Sequence, residues 1–167
     1  MKLDVERFMQ ATGNYKDIDS KEVFFQEVRK LIPLIQEELN ELQESCNLEY
    51  VQGVLDDFVD LNVYQIQLES LLERLGCDTV GAKQAVAENN SLKYTTSRAL
   101  VFRWLNEHEN GYSQLKLENP FYICETEFDN ETYYCLKRSS DDKVGKFVGY
   151  PKVNLDEYAP KEFGGNL

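Results

Sequence analysis

The stretch from about Glu49 to Leu75 constrains this chain more than any other. Val51, Val54, Leu55, Phe58, Val59, Leu61, Val63, Tyr64, Ile66, Leu68, Leu71 and Leu72 place apolar side chains on most sides of a helix, with Asp57 and Asp60 among them. A helix apolar on most sides is expected to be surrounded by protein, so the rest of the chain must supply its cover. Aspartate is a poor helix former, and burying two of them unpaired is costly enough to need a specific cause. Asp57, Asp60 and Tyr64 share one helical face.

A second helix is expected upstream, with Ser20 as N-cap, running toward Ser45. Glu22 sits one place too early for a full capping box. Val28, Leu31, Ile32, Ile35, Leu39 and Leu42 form its apolar stripe. Pro33 lies inside that pattern, so either a kink or a helix that effectively begins near it is expected. Glu38 borders the Leu31 side of the stripe, Glu41 lies near Leu34, and Glu37 points roughly the opposite way. A charged helix face is usually only a solvated face, and among 30 acidic residues some i, i+3 pairs arise by chance. The aspartates are therefore the more telling pair. Two such faces packed together would gather four carboxylates, a repulsion that divalent cations readily offset. Magnesium prefers oxygen ligands and keeps waters, leaving positions for phosphate oxygens and an attacking water, and the chemistry implied is phosphoanhydride hydrolysis.

Residues from about Leu3 to Gln10 read as a short first helix closed by Gly13 and Asn14. Gly76 ends the apolar helix, Thr79 to about Lys93 reads as a fourth, and Ser97 to about Glu109 as a fifth, stopped by Asn110-Gly111. Beyond Gly111 the texture becomes aromatic and β-like: Phe121-Tyr122-Ile123-Cys124 and Thr132-Tyr133-Tyr134-Cys135-Leu136 flank turn residues, and Lys143 to Val148 is expected to add a third strand. The segment with Pro151, Pro160 and Gly164-Gly165 reads as an extended or frayed tail. The expected architecture is a mainly α-helical bundle over residues 1–110 with a small C-terminal β-hairpin or meander and tail over 111–167.

A formal net charge of -12, with no large Lys/Arg cluster, argues against polymeric nucleic acid as a partner. Nothing approaches the length of an apolar membrane span, and Met1-Lys2-Leu3-Asp4-Val5-Glu6-Arg7 turns charged where an export signal would become apolar. A soluble, cytoplasmic protein is expected. His108 is the only histidine, which excludes a His-based triad or a multi-histidine metal centre within one chain. Cys46, Cys77, Cys124 and Cys135 lack zinc-site spacing. A two-residue turn at Asp129-Asn130 would set Cys124 opposite Cys135, a pair able to bridge in an oxidising compartment and expected to stay reduced in the cytoplasm.

Glu37-Glu38-x-x-Glu41 followed by Asp57-x-x-Asp60, with Tyr64 beyond, resembles the signatures of the all-α nucleoside triphosphate pyrophosphohydrolases. These are the MazG-like and phosphoribosyl-ATP pyrophosphohydrolase-like proteins, which include dimeric dUTPases. The segment Val86-Ala87-Glu88-Asn89-Asn90-Ser91-Leu92-Lys93 is similar to the family's N-x-x-K ending, and Lys143 to Pro151 resembles the closing segment of bacteriophage-encoded members. The matches extend from about residue 4 to 155. Many relatives carry a histidine just after the first-helix aromatic, where this chain has Phe8-Met9-Gln10-Ala11-Thr12-Gly13.

The resemblance implies a MazG-like bundle that hydrolyses a (deoxy)nucleoside triphosphate between its α- and β-phosphates, with Mg²⁺ as cofactor and Mn²⁺ as a substitute. It implies Glu38, Glu41, Asp57 and Asp60 as metal ligands, with Glu37 as a further ligand or, like Glu38, a catalytic glutamate. Asn90 and Lys93 would contact phosphates, and Lys146 would join them from the tail. A lysine at the end of a helix also complements the helix dipole, which is the plainer account of Lys93. The implied partners are the nucleotide and a second copy of the chain, as a homodimer or dimer of dimers. Two alternatives stand beside this: a phosphoribosyl-ATP or dUTP/dUDP hydrolase on the same scaffold, and a non-enzymatic acidic module that binds a basic protein.

Overall fold

The computed structural model describes residues 1–115 and 117–161. The chain is mainly helical, with a small three-stranded antiparallel sheet. It forms two compact units: Met1–Ala82 joined by the segment from Leu155, and Lys83–Asn154. Among the described residues no helix is long and apolar enough to cross a membrane.

The first unit contains α1 (Lys2–Ala11), α2 (Lys21–Asn47), α3 (Val51–Arg74) and the start of α4 (Thr79–Ser91). The Ser20 hydroxyl accepts a hydrogen bond from the Val23 amide, so the expected cap is present. From there α2 runs without interruption through Pro33. Its inward face is the series Phe24, Val28, Leu31, Ile35, Glu38, Leu42 and Ser45, all buried or half-buried. These positions alternate spacings of four and three, the register of a coiled-coil seam. Ile32 and Leu39, expected in the stripe, are 58% and 45% exposed because they fall one place off that register. Along α3 the same rhythm runs through Asp57, Leu61, Tyr64, Leu68 and Leu71. Phe24, Leu31 and Leu71 are buried together, and Val28, Ile35, Tyr64 and Leu68 pack against them.

A tight connection at Leu48–Tyr50, with Glu49 in the left-handed region at φ 53°, turns α2 back against α3. There Gly53 is required: a β-carbon on it would lie 2.5 Å from both the Ser45 hydroxyl and the Tyr50 ring. A smaller cluster of Val5, Met9 and Ile66 seats α1 on α3. The expectation that α3 is enclosed on most sides holds for its second half only. Val51, Leu55, Phe58 and Val59 are 44–75% exposed, because the elements packed on α3 in this unit cover its other faces.

The second unit holds the remainder of α4, β1 (Tyr94–Thr95), α5 (Arg98–Gln114), β2 (Phe121–Phe128) and β3 (Glu131–Arg138), with sheet order β1-β3-β2. Asp129 and Asn130, at φ 51° and 62°, make the two-residue loop, and Phe128 pairs with Glu131 across it. Val101, Trp104 and Leu136 form the core here, with Phe121, Ile123 and Phe147 around them. Trp104 is 7% exposed and stacks on Phe147 at 4.8 Å. Two expectations need correction. Asn110-Gly111 does not stop α5, which continues to Gln114. The third strand is not Lys143 to Val148, where Val144 makes only an isolated bridge to Lys137, but Tyr94–Thr95. In the tail, Gly164-Gly165 lie outside the described residues.

Candidate metal centre

The antiparallel packing of α2 on α3 determines which acidic residues meet. Gly53 lies level with Ser45, and stepping away from the turn by equal numbers of residues brings Asp57 level with Glu41 and Asp60 level with Glu38. Carboxylate oxygens of Glu38, Glu41 and Asp57 all lie within 4.8 Å of one another. Asp57 is only 6% exposed, since it occupies a seam position of α3. Its Oδ2 and the Oε2 of Glu38 are buried without a hydrogen-bond partner. A buried carboxylate oxygen in that state costs roughly 1–3 kcal/mol, and more when charged.

Burial first, and then the charges of Asp60, Glu41, Glu37 and Asp57, push the Glu38 carboxyl above its ordinary range. The same environment acts on Tyr64, whose phenol is raised by burial and then by Glu38, Asp60, Glu37 and Glu41. The site thus has a strongly negative interior and donors that are all hard oxygens, the set that Mg²⁺, Mn²⁺ or Ca²⁺ takes. A divalent cation fits: it would give the two orphaned oxygens a partner and relieve the repulsion on Glu38.

Of the four ligands expected, three converge. Asp60 is exposed and stands outside the trio, although its charge is the strongest of those acting on Glu38. Glu37 is exposed, as its wheel position implies.

The expected phosphate contacts belong to the second unit, and there they come together. Lys93 Nζ donates to Asn90 Oδ1 at 2.6 Å. Lys93 and Lys146 both lie over the Tyr150 ring, at 5.9 and 5.3 Å from its centre. The Tyr150 hydroxyl donates to the Asn89 carbonyl, and Asn89 Nδ2 donates to the Pro151 carbonyl at 3.1 Å, tying α4 to the segment after β3. Tyr150 is the residue that sequence reasoning missed as an organiser of these lysines. The Gly149-Tyr150-Pro151 turn, with Gly149 at φ 80°, was its only signal. Compared with protein-family models, curated proteins and solved structures, the chain matches none.

Proposed function

We propose that this protein is a divalent-metal-dependent nucleoside triphosphate pyrophosphohydrolase, releasing a nucleoside monophosphate and pyrophosphate. The observation that carries the reading is the convergence of Glu38, Glu41 and Asp57 with two buried carboxylate oxygens left without partners. Glu38, Glu41 and Asp57 would hold Mg²⁺, or Mn²⁺ in its place, and exposed Asp60 would complete the set from the solvent side. When bound, the ion supplies charge neutralisation at the phosphates and lowers the pKa of a coordinated water. Glu37, exposed and one residue from Glu38, would serve as a further ligand or as the base that accepts a proton from water. Asn90, Lys93 and Lys146 would supply donors and positive charge of the kind phosphate oxygens take, with both lysines held at the Tyr150 ring.

The MazG-like character of the bundle, the resemblance to bacteriophage members and the homodimer belong to the same proposal. The uncovered apolar residues of α3 support the homodimer. Pyrophosphate release from ribo- and deoxyribonucleoside triphosphates, with dUDP and phosphoribosyl-ATP alongside, with Mg²⁺ and with chelator, tests it. Chelator-sensitive formation of monophosphate and pyrophosphate is expected, abolished by Asp60→Asn with helical circular dichroism intact. Absence of turnover with every nucleotide would overturn the reading and favour the acidic binding module.

A further inference from the structure

We infer that Cys124 and Cys135 form a reversible dithiol–disulfide site, oxidised by exchange with a low-molecular-weight disulfide such as oxidised glutathione. The register sets the two residues directly opposite each other on β2 and β3. In a two-residue loop with both central residues in the left-handed region, the closing pair Phe128 and Glu131 exchanges both backbone hydrogen bonds. Such pairs alternate along the ladder, so Cys124 and Cys135, four steps on, are also a hydrogen-bonded pair. Their α-carbons then stand about 5.5 Å apart, at the low edge of the ~5.5–6 Å most common in disulfides.

The faces of the sheet say which side the thiols occupy. Ile123 and Leu136, one residue away on each strand, point into the core with Val101 and Trp104 of α5. Cys124 and Cys135 therefore emerge on the opposite face, where both are half-buried and within reach of a small reagent. Their environments differ. Cys135 is on the central strand, with Tyr94 of β1 paired on its other side, and Cys124 is on an edge strand. Burial, and then the neighbouring Cys124, raise the Cys135 thiol, which makes it the poorer attacking group.

The exchange proceeds in two balanced steps. The Cys124 thiolate attacks one sulfur of the small disulfide, forming a mixed disulfide and releasing one small thiolate, which takes up a proton. The Cys135 thiol loses its proton and attacks the Cys124 sulfur, forming the intrachain bond and releasing the second small thiol. Two protein thiols are oxidised and one small disulfide is reduced to two thiols.

The test uses the reduced full-length chain in oxidised glutathione, quenched in acid. Titratable thiols in denaturant should fall from four to two, with loss of two hydrogens in intact mass and reversal by dithiothreitol. Cleavage at Glu125, Glu127 and Glu131, which lie between the cysteines, should leave the Cys124 and Cys135 peptides joined. Cys135→Ser should accumulate glutathione on Cys124, while Cys124→Ser should acquire neither bridge nor stable adduct at Cys135. Retention of the Cys124 and Cys135 thiols, a bridge from either of them to Cys46 or Cys77, or a persistent glutathione adduct on Cys124 or Cys135 of the unmutated chain would each overturn the assignment.

Discussion

At the scale of single residues, the chain places a carboxylate where its own seam calls for an apolar side chain. Asp57 lies in the register with Leu61, Tyr64 and Leu68, and Glu38 in that with Leu31, Ile35 and Leu42. Such substitutions lower stability unless something compensates. Asp57→Asn, which removes the charge at nearly constant volume, should raise the stability of metal-free protein by roughly 1–3 kcal/mol. It should also abolish the stabilisation that Mg²⁺ gives the unmutated chain. Urea melts in chelator and in Mg²⁺ measure both, and an Asn variant that is weaker in chelator yet equally stabilised by Mg²⁺ would contradict the assignment. The aspartate pair was legible in the sequence because apolar neighbours surround it. What was not legible is the difference between its members: a step of three residues falls about 60° short of a full turn, enough to bury Asp57 and leave Asp60 in solvent. Reading the strict four-three alternation through Glu38 and Asp57 would have singled out these two.

Elements succeed or fail as predictions according to whether their cause is local. Ser20 caps α2 through a bond to Val23, three residues away, and the Asp129-Asn130 loop supplies its own left-handed geometry. Both were visible in a short window of sequence. Asn110-Gly111 carries an ordinary stop signal, but α5 keeps helical geometry past it, and a β-carbon at Gly111 would meet nothing within 4 Å. β1 is two residues long, too short for any periodicity, and exists only because the edge of β3 is there to pair with. The sheet also carries a measurable side-chain bond: Tyr122 donates its hydroxyl to Asp142 at 2.6 Å. That bond, then burial and the carboxylate charge, push the phenol up to about 12. The folded pKa lies above the usual value near 10. The stabilisation is therefore fully present below pH ~10 and is lost as pH rises toward 12. Spectrophotometric titration should show Tyr122 among the late-ionising tyrosines, and Asp142→Asn should remove one phenol from that late phase and return it toward pH ~10.

For the whole molecule, the first half of α3 leaves unfinished work. Val51, Leu55 and Phe58 recur at helical spacing, and Val59 flanks them, all substantially exposed. Fully burying each of these side chains is worth about 1.5–3 kcal/mol, so a second copy laid on this stripe is the economical way to cover it. Sedimentation velocity should find a dimer, and Phe58→Glu should shift it to monomer while the helical signal persists. A monomeric unmutated chain would remove this element of the proposal. The two units also differ in what they carry: the acidic cluster belongs wholly to the first, the lysine pair and the facing Cys124 and Cys135 to the second. The single tryptophan, Trp104, is buried in the second unit against Phe147. Fluorescence excited beyond tyrosine absorption therefore originates from that unit alone, and the chain contains an optical reporter that follows the melting of the sheet and α5 while the helices bearing the carboxylates stay dark.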